Sequence, residues 1–173
     1  MAPATVRELA ASHGMRLPYS LTDDVGNTYD VEDERGWFRF QRTYDAARNC
    51  VRGEADMRRI VREAALADGA EGSRWLELQV DPTTYAPFVG GITPALEIVL
   101  DEAGAVSELP GAAQVGIMVA ASRMRHPLEA RTLARLAARY AGEGPGTVVA
   151  FGLSNDERRG VTSDFAPAFR IAR

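Results

Sequence analysis

Polar residues that could line a binding site share one face of a predicted strand. Residues 74–81 alternate strictly between the two faces of that strand. The polar face carries Glu77, Gln79 and Asp81. Polar side chains at the carboxyl end of a barrel strand point into the mouth of an active site. The pattern predicts a ligand site there, although Asp81 could equally cap a turn through the residues after it.

Three aromatic residues form a second candidate surface. Trp37, Phe40 and Tyr44 fall three and four positions apart, so they share one face of a helix predicted over 36–50. Such a face either covers a ligand pocket or packs on a core. The spacing alone does not separate these two interpretations.

The chain has few side chains suited to metal or nucleophilic chemistry. It contains two histidines, His13 and His126, no His-x-His pair, and one cysteine, Cys50. His13 is expected near a helix carboxyl end, where a cation suits the dipole, and His126 directly before a helix-opening proline. Cys50 cannot form an internal disulfide, and we expect it to be a small buried side chain on a helix. No metal is predicted to bind this chain.

Composition excludes several classes of function. The 173 residues carry a net charge of −4 and no basic stripe, so nucleic acid is not an expected partner. No apolar stretch of the sequence approaches the roughly 20 residues of a membrane span. The amino terminus lacks the basic start and apolar run of a signal peptide. We therefore expect a cytoplasmic protein that does not contact a membrane.

The order of predicted elements changes along the chain. In the first part we predict helices over 3–13, 36–50 and 54–68, with a loop over 15–35 and Gly69 as a helix cap. From residue 74 onward strands alternate with helices. The strands are predicted over 74–81, 115–121 and 147–153, and the helices near 93–103, from Pro127, and over 164–173.

Repeated βα units imply a parallel sheet, either an open doubly wound sheet or part of a (β/α)8 barrel. The polar face of the first strand favours the barrel. A doubly wound small-molecule binder would need a glycine-rich phosphate loop, which the loops after residues 81, 122 and 153 lack. We predict an α/β fold that is a partial (β/α)8 barrel. Residues 1–70 would be a helical lid or connecting segment, and 71–173 the βα units of one incomplete domain.

Several stretches resemble the adenosine/adenine deaminase family in order and spacing, and together they cover nearly the whole chain. They are residues 3–10, Phe40 with Tyr44-Asp45, residues 65–69, residues 74–82, Arg125-His126-Pro127, residues 148–157 and residues 165–169. The resemblance implies that the chain runs from just after strand one to the helix after strand four of such a barrel. The sequence opens on a helix and stops within another, so we expect both ends to be cuts through a larger domain.

In such enzymes zinc activates a water that attacks C6 of adenine and expels ammonia. The resemblance puts the metal ligands on strands one, five and eight and a glutamate acid/base after strand five, and none of these positions falls in this chain. It therefore implies a deaminase of adenosine or a related aminopurine whose 173-residue piece is inactive alone. The alternative is a non-catalytic degenerate half-barrel that associates with itself or another chain through open strand edges.

The resemblance also implies a purine nucleoside or base as the ligand. Trp37, Phe40 and Tyr44 resemble the aromatic helix that covers the purine pocket, and Asp81 would lie at the rim after strand two.

The loop after the last predicted strand carries the remaining site residues. Residues 152–157 resemble a family loop that reads Asp-Leu-Ala-Gly-Asp-Glu, in which the glycine amide bonds a purine ring nitrogen. Asn155 takes the place of that glycine, directly after Ser154. Asparagine tolerates a left-handed φ better than most residues, so its backbone amide could serve in the same way.

Overall fold

Helices fill the first part of the chain, and strands alternate with helices in the rest, as the hydrophobic periodicity predicts. The computed structural model describes residues 1–22 and 34–173, with the side chains of Glu34 and Trp37 excepted. Residues 23–33 of the predicted loop lie outside the described residues. The chain divides into two units, Met1–Asp56 and Met57–Arg173, and each is described by itself. No helix in the described ranges is both long and apolar enough to cross a bilayer.

The amino-terminal unit is helical. Its elements are α1 (Pro3–Ser12), a 3-10 turn at Tyr19–Leu21, α2 (Glu34–Arg48) and the first residues of α3 (Glu54–Ala70). Pro3 suits the first turn of α1 because its fixed φ is already helical, and α1 ends where Gly14 adopts a left-handed φ of 63°. The helices predicted over 3–13 and 36–50 are confirmed. α2 ends earlier than predicted, so Cys50 is buried in the turn that follows it.

The carboxyl-terminal unit holds a three-stranded sheet. Its strands are β1 (Trp75–Val80), β2 (Gln114–Ser122) and β3 (Val148–Ser154). Its further helices are α4 (Ala86–Val89), α5 (Ile92–Ser107), α6 (Pro127–Arg139) and α7 (Ala166–Ala172), with 3-10 turns at Pro82–Thr84 and Thr162–Phe165. The three strands match their predicted ranges to within one residue at each end. They pair in parallel in the order β1-β2-β3.

The central strand β2 carries the core of the carboxyl-terminal unit. Val115, Ile117 and Val119 alternate along it and are fully buried, and α5 and α6 pack on this strand. Burying each such side chain contributes about 1.5–3 kcal/mol to stability. The face that alternates with them is lined differently: the Trp75 ring lies over Gly116, since a Cβ added there would meet Trp75 at 2.7 Å. Only glycine fits beneath that ring.

One predicted helix boundary is wrong, and one short helix was not predicted. Gly69 does not end α3, which continues to Ala70; the left-handed glycine is Gly72, with φ 95°. Gly69 instead lies against a neighbouring backbone, because a Cβ there would come within 2.1 Å of the Gly111 carbonyl oxygen. The one-turn helix α4 was not predicted, since four residues are too few to show a helical period.

A buried carboxylate links α5 to α3. The Glu102 side chain is 3% exposed and accepts a 2.6 Å hydrogen bond from Arg62 Nε. Arg58 reaches it at 3.6 Å and also pairs with Asp101. Two arginines one helical turn apart thus share the negative charges of two consecutive residues on the facing helix.

Candidate ligand site at the carboxyl ends of the strands

The carboxyl ends of the three strands meet at one edge of the sheet. Because the strands are parallel, residues that end neighbouring strands lie side by side, and Ser122 is the register partner of Ser154. Ligands of parallel α/β sheets bind at this edge. The sequence-predicted residues Asp81, Ser154 and Asn155 all belong to it.

Asn155 forms the sharpest turn of this edge. Its φ of 81° makes it the sole non-glycine residue with a positive φ among those that the structure describes. Its Nδ2 donates a 2.8 Å hydrogen bond to the buried Ser122 Oγ, which also accepts one from Met124 N at 3.2 Å. The side chain of Asn155 therefore fixes the turn. Its backbone amide has no acceptor within the described part of the chain.

Ser154 and Asp81 use their side chains locally. Ser154 Oγ donates to the Ala121 carbonyl at 3.3 Å, which adds a contact between β3 and β2. Asp81 Oδ1 accepts hydrogen bonds from Thr83 N at 3.0 Å and Thr83 Oγ1 at 2.6 Å, so Asp81 caps the turn at Pro82–Thr84. The capping interpretation of Asp81 is confirmed. A role for it in ligand binding stays a prediction.

The loop after Asn155 is held by a charged cluster. Asp156 accepts hydrogen bonds from the side chain and the backbone amide of Arg158, which lower the pKa of its carboxyl below the usual value. Arg159 adds a contact at 3.8 Å. Asp156 is therefore ionised at neutral pH and stabilises the turn.

The aromatic residues of α2 lie in the amino-terminal unit. Phe40 and Tyr44 stack with their ring centroids 6.3 Å apart, which confirms that these two share a helix face. Arg48 lies over the Tyr44 ring at 5.7 Å. Both rings are exposed, and the side chain of Trp37 is outside the described residues. Their role as a cover for a ligand stays a prediction.

The residues that the structure describes do not fit a zinc site. No three histidine, cysteine, aspartate or glutamate side chains in residues 1–22 and 34–173 come together as ligands. His13 Nε2 lies 2.7 Å from Asp56 Oδ2, and His126 Nδ1 accepts a hydrogen bond from Leu128 N at the start of α6. His13 thus pairs with Asp56, and His126 caps the start of α6. No reaction step through a metal follows from these residues.

Sequence reasoning missed Ser122 and Arg123 at the same edge. Ser122 ends a buried apolar run and is followed by a charged residue, which is the local signal for a strand end that faces a site. Its partner Asn155 is 33 residues away, and spacing along the chain does not pair the two.

Comparison with known proteins identifies the family of the chain. The sequence profile of the family described as adenosine deaminase matches residues 1–173. A provisionally named adenosine/adenine deaminase from Streptomyces virginiae is 57% identical over 173 residues, covering 100% of this chain and 50% of that protein. A protein of the same description from Streptomyces coelicolor is 56% identical over 177 residues, with the same coverage. The chain thus spans about half the length of the curated relatives that it matches.

Solved structures share the fold. An adenine deaminase from Arthrobacter aurescens has a TM-score of 0.76 at 21% identity, covering 98% of this chain and 50% of that one. An Arabidopsis protein, ADAL, complexed with IMP has a TM-score of 0.71 at 21% identity, covering 98% and 49%. An amidohydrolase from Burkholderia ambifaria with bound Zn has a TM-score of 0.75 at 19% identity, covering 99% and 45%.

These likenesses confirm the predicted α/β fold of a partial (β/α)8 barrel. The family profile covers the full chain, and two relatives are more than half identical to it throughout. The chain belongs to the adenosine deaminase family.

Proposed function

We propose that this chain supplies part of the purine-binding surface of an aminopurine deaminase and does not catalyse deamination alone. The observation that carries the proposal is the left-handed turn at Asn155, which aims a backbone amide without an acceptor among the described residues from the carboxyl end of β3. A few fixed polar groups, backbone N–H among them, orient a ligand in a typical small-molecule site. Family membership supports a purine as that ligand.

The other candidate residues complete the proposed surface. Asp81 and Ser154 would line it beside Asn155, within the βα units over 71–173. The helix face that carries Trp37, Phe40 and Tyr44 is a further candidate for contact with the purine. The IMP held by the Arabidopsis protein supports a ligand with a purine ring.

Deamination requires an activated water, and the described residues form no cluster of side chains that could hold a metal ion for this task. A water becomes a nucleophile near neutral pH through a metal ion or a positioned base. The two histidines are engaged at Asp56 and Leu128, and the Asp156 carboxylate is held by Arg158. We therefore expect the adenosine C6 chemistry of the family to need residues beyond this chain.

Purine binding is tested by titrating the chain with adenosine and following backbone amide signals by NMR. We expect the Asn155 amide to shift. Asn155→Gly keeps a positive φ accessible and should bind as the wild type does, whereas Asn155→Val disfavours that φ and should bind at least about tenfold more weakly. An unmoved Asn155 amide, or equal affinity of the valine variant, would contradict the proposal.

Catalysis is tested by measuring ammonia release from adenosine, adenine and AMP. We expect no release above the uncatalysed rate from the purified chain. Release that a chelator abolishes would show that the chain assembles a metal site of its own.

A second candidate function is self-association without catalysis. Within the described sheet β1 and β3 each pair on one side only, and open strand edges are templates for further pairing. Light scattering across a concentration series separates the candidates: a discrete dimer supports self-association, and a monomer at all concentrations rejects it.

A further inference from the structure

Arg123 directly follows β2, and its side chain has no close carboxylate partner among the described residues. The side chain is 9% exposed, and the nearest carboxylate oxygen of those residues, on Glu157, lies 3.9 Å from Nη2. Nη1 donates a long 3.4 Å hydrogen bond to Thr162 Oγ1, and Nε has no hydrogen-bond partner among the described residues. Burial of a charged group is unfavourable unless it is paired and hydrogen-bonded. This guanidinium therefore has an unused donor at Nε, and its ion pair with Glu157 is long.

The neighbouring acidic residues do not neutralise Arg123. The Glu157 side chain is 88% exposed, so solvent screens its contact with the guanidinium. Asp156 is already bonded by Arg158 Nε at 3.0 Å. An anion bound beside the guanidinium could therefore accept hydrogen bonds from Arg123 donors that no described residue uses.

The backbone of Arg123 lies beside the proposed purine site. Arg123 N donates to the Ser154 carbonyl at 3.1 Å, so the backbone of Arg123 extends the pairing of β2 with β3 to the turn at Asn155. The loop after Asn155 packs against the Arg123 backbone, since a Cβ at Gly160 would lie 2.9 Å from the Arg123 carbonyl oxygen. Thr162, which contacts Nη1, begins the 3-10 turn after this loop.

We propose that Arg123 binds the oxyanion group, a phosphate or a carboxylate, of a ligand held at the carboxyl ends of β2 and β3. The planar fork of an arginine matches two oxygens of either group, and hydrogen bonds between charged groups are the strong ones. The ligand would be a purine nucleotide or a nucleoside that carries a carboxylate. The purine part of this ligand rests on the proposed function. The oxyanion contact rests on the burial of the Arg123 side chain and on its lack of close partners among the described residues.

The oxyanion contact is tested on the wild-type chain by observing arginine Nε–Hε signals by NMR during titration with inorganic phosphate and, separately, with acetate. Arg131 of α6 also has a buried Nε without a partner within the described ranges, so its signal is the internal control. We expect phosphate, acetate or both to shift the Arg123 signal and to leave Arg131 unmoved. The responding anion identifies the class of ligand. An unmoved Arg123 signal, or equal shifts of both arginines, overturns the inference.

The ligand class is tested by measuring binding affinities. If phosphate shifts the Arg123 signal, the affinity for AMP is compared with that for adenosine. If acetate shifts it, the affinity for an adenosine derivative that carries a carboxylate is compared with that for adenosine. We expect the anionic form to bind about tenfold more tightly, as one charge-assisted contact provides. Arg123→Gln should abolish this difference, Arg131→Gln should retain it, and Glu157→Gln should increase the affinity for the anion. Equal affinities in the wild type overturn the inference and leave the purine proposal intact. A shift of Arg123 with phosphate but no binding of any purine contradicts the proposed function alone.

Discussion

Asn155 and Ser122 are joined by a 2.8 Å hydrogen bond from Nδ2 to Oγ, although they are 33 residues apart in sequence. The same Oγ accepts a hydrogen bond from Met124 N. One buried hydroxyl therefore fixes the turn after β2 and the turn after β3 together. This link adds to the left-handed preference of Asn155, since asparagine adopts a positive φ more readily than most non-glycine residues.

Replacement of Ser122 by alanine should loosen both turns. Ser122→Ala removes the acceptor for Asn155 Nδ2 and Met124 N, and we expect the free energy of unfolding to fall by about 0.5–1.5 kcal/mol. Urea denaturation measures the change. Ser163→Ala, at an exposed position, is the matched control and should stay within about 0.5 kcal/mol of the wild type. Equal losses in the two variants would mean that the Ser122 link contributes nothing specific.

Replacement of Arg62 should lower the free energy of unfolding, because it leaves the buried Glu102 carboxylate poorly paired. Arg62→Met leaves Glu102, which is 3% exposed, with only the longer 3.6 Å contact to Arg58. Since the Arg62 side chain is itself 54% exposed, we expect a moderate loss of about 1–3 kcal/mol, measured by urea denaturation.

The control for Arg62 is a pair on the protein surface. Arg125 and Glu129 pair at 3.2 Å one turn apart, with both side chains about half exposed. Arg125→Met should cost no more than about 0.5 kcal/mol. A loss in Arg125→Met as large as that in Arg62→Met would contradict the assigned role of Glu102 burial.

Local sequence patterns predicted the helices and strands of this fold. Features that depend on contacts between distant residues could not be predicted from those patterns. The strands were found because alternation and apolar runs are properties of consecutive residues, and the βα order then required parallel pairing. Gly69 was assigned wrongly because a glycine near a helix end has two common roles. It can end the helix, or it can leave room for another backbone, and the sequence around it is the same in both cases. Its neighbour Gly111 is far along the chain, and no local signal connects the two.

The sequence predicted some residues of the candidate site and missed others. Asp81 was found because it ends the polar face of a predicted strand, and Ser154 and Asn155 were found because residues 152–157 resemble a loop of the family. Ser122 and Arg123 were missed because their importance depends on the β2–β3 register, which shifts irregularly between Ile117 and Met118. A one-residue change of register moves every side chain to the opposite face, so the pairing of Ser122 with Asn155 had to come from the structure.

The buried Cys50 thiol should be unreactive in the folded chain. Burial raises the pKa of Cys50 above its ordinary value of 9.0, and Sγ donates to the Ala46 carbonyl at 3.3 Å. The thiolate is the reactive form, so alkylation by iodoacetamide at pH 8 should be much slower in the folded chain than in urea.

The same pKa shift gives the stability a pH dependence with a defined sign. Because the folded pKa of Cys50 is raised, its contribution to stability is fully present below pH 9.0 and is lost as the pH rises through the folded pKa. Stability should therefore decline on the alkaline side more in the wild type than in Cys50→Ala. Rapid alkylation of the folded chain would show that the thiol is accessible, and identical alkaline profiles would show that folding does not raise its pKa.

Replacement of Gly69 by alanine should destabilise the protein although it lies within a helix. Alanine in place of a helical glycine ordinarily stabilises by about 1 kcal/mol. Here the added Cβ would come within 2.1 Å of Gly111 O and 2.8 Å of Ala113 N, where Ala113 donates a hydrogen bond to the Ala65 carbonyl of α3. Overpacking against backbone outweighs the helix preference, and we expect a net loss of about 1–3 kcal/mol. Thermal unfolding measures this loss. Gly144→Ala is the control, because its Cβ position has no atom of the described residues within 4 Å and its φ is not positive, and it should be neutral or slightly stabilising. A stabilised Gly69→Ala variant would mean that α3 and the segment before β2 are separated further than the structure has them.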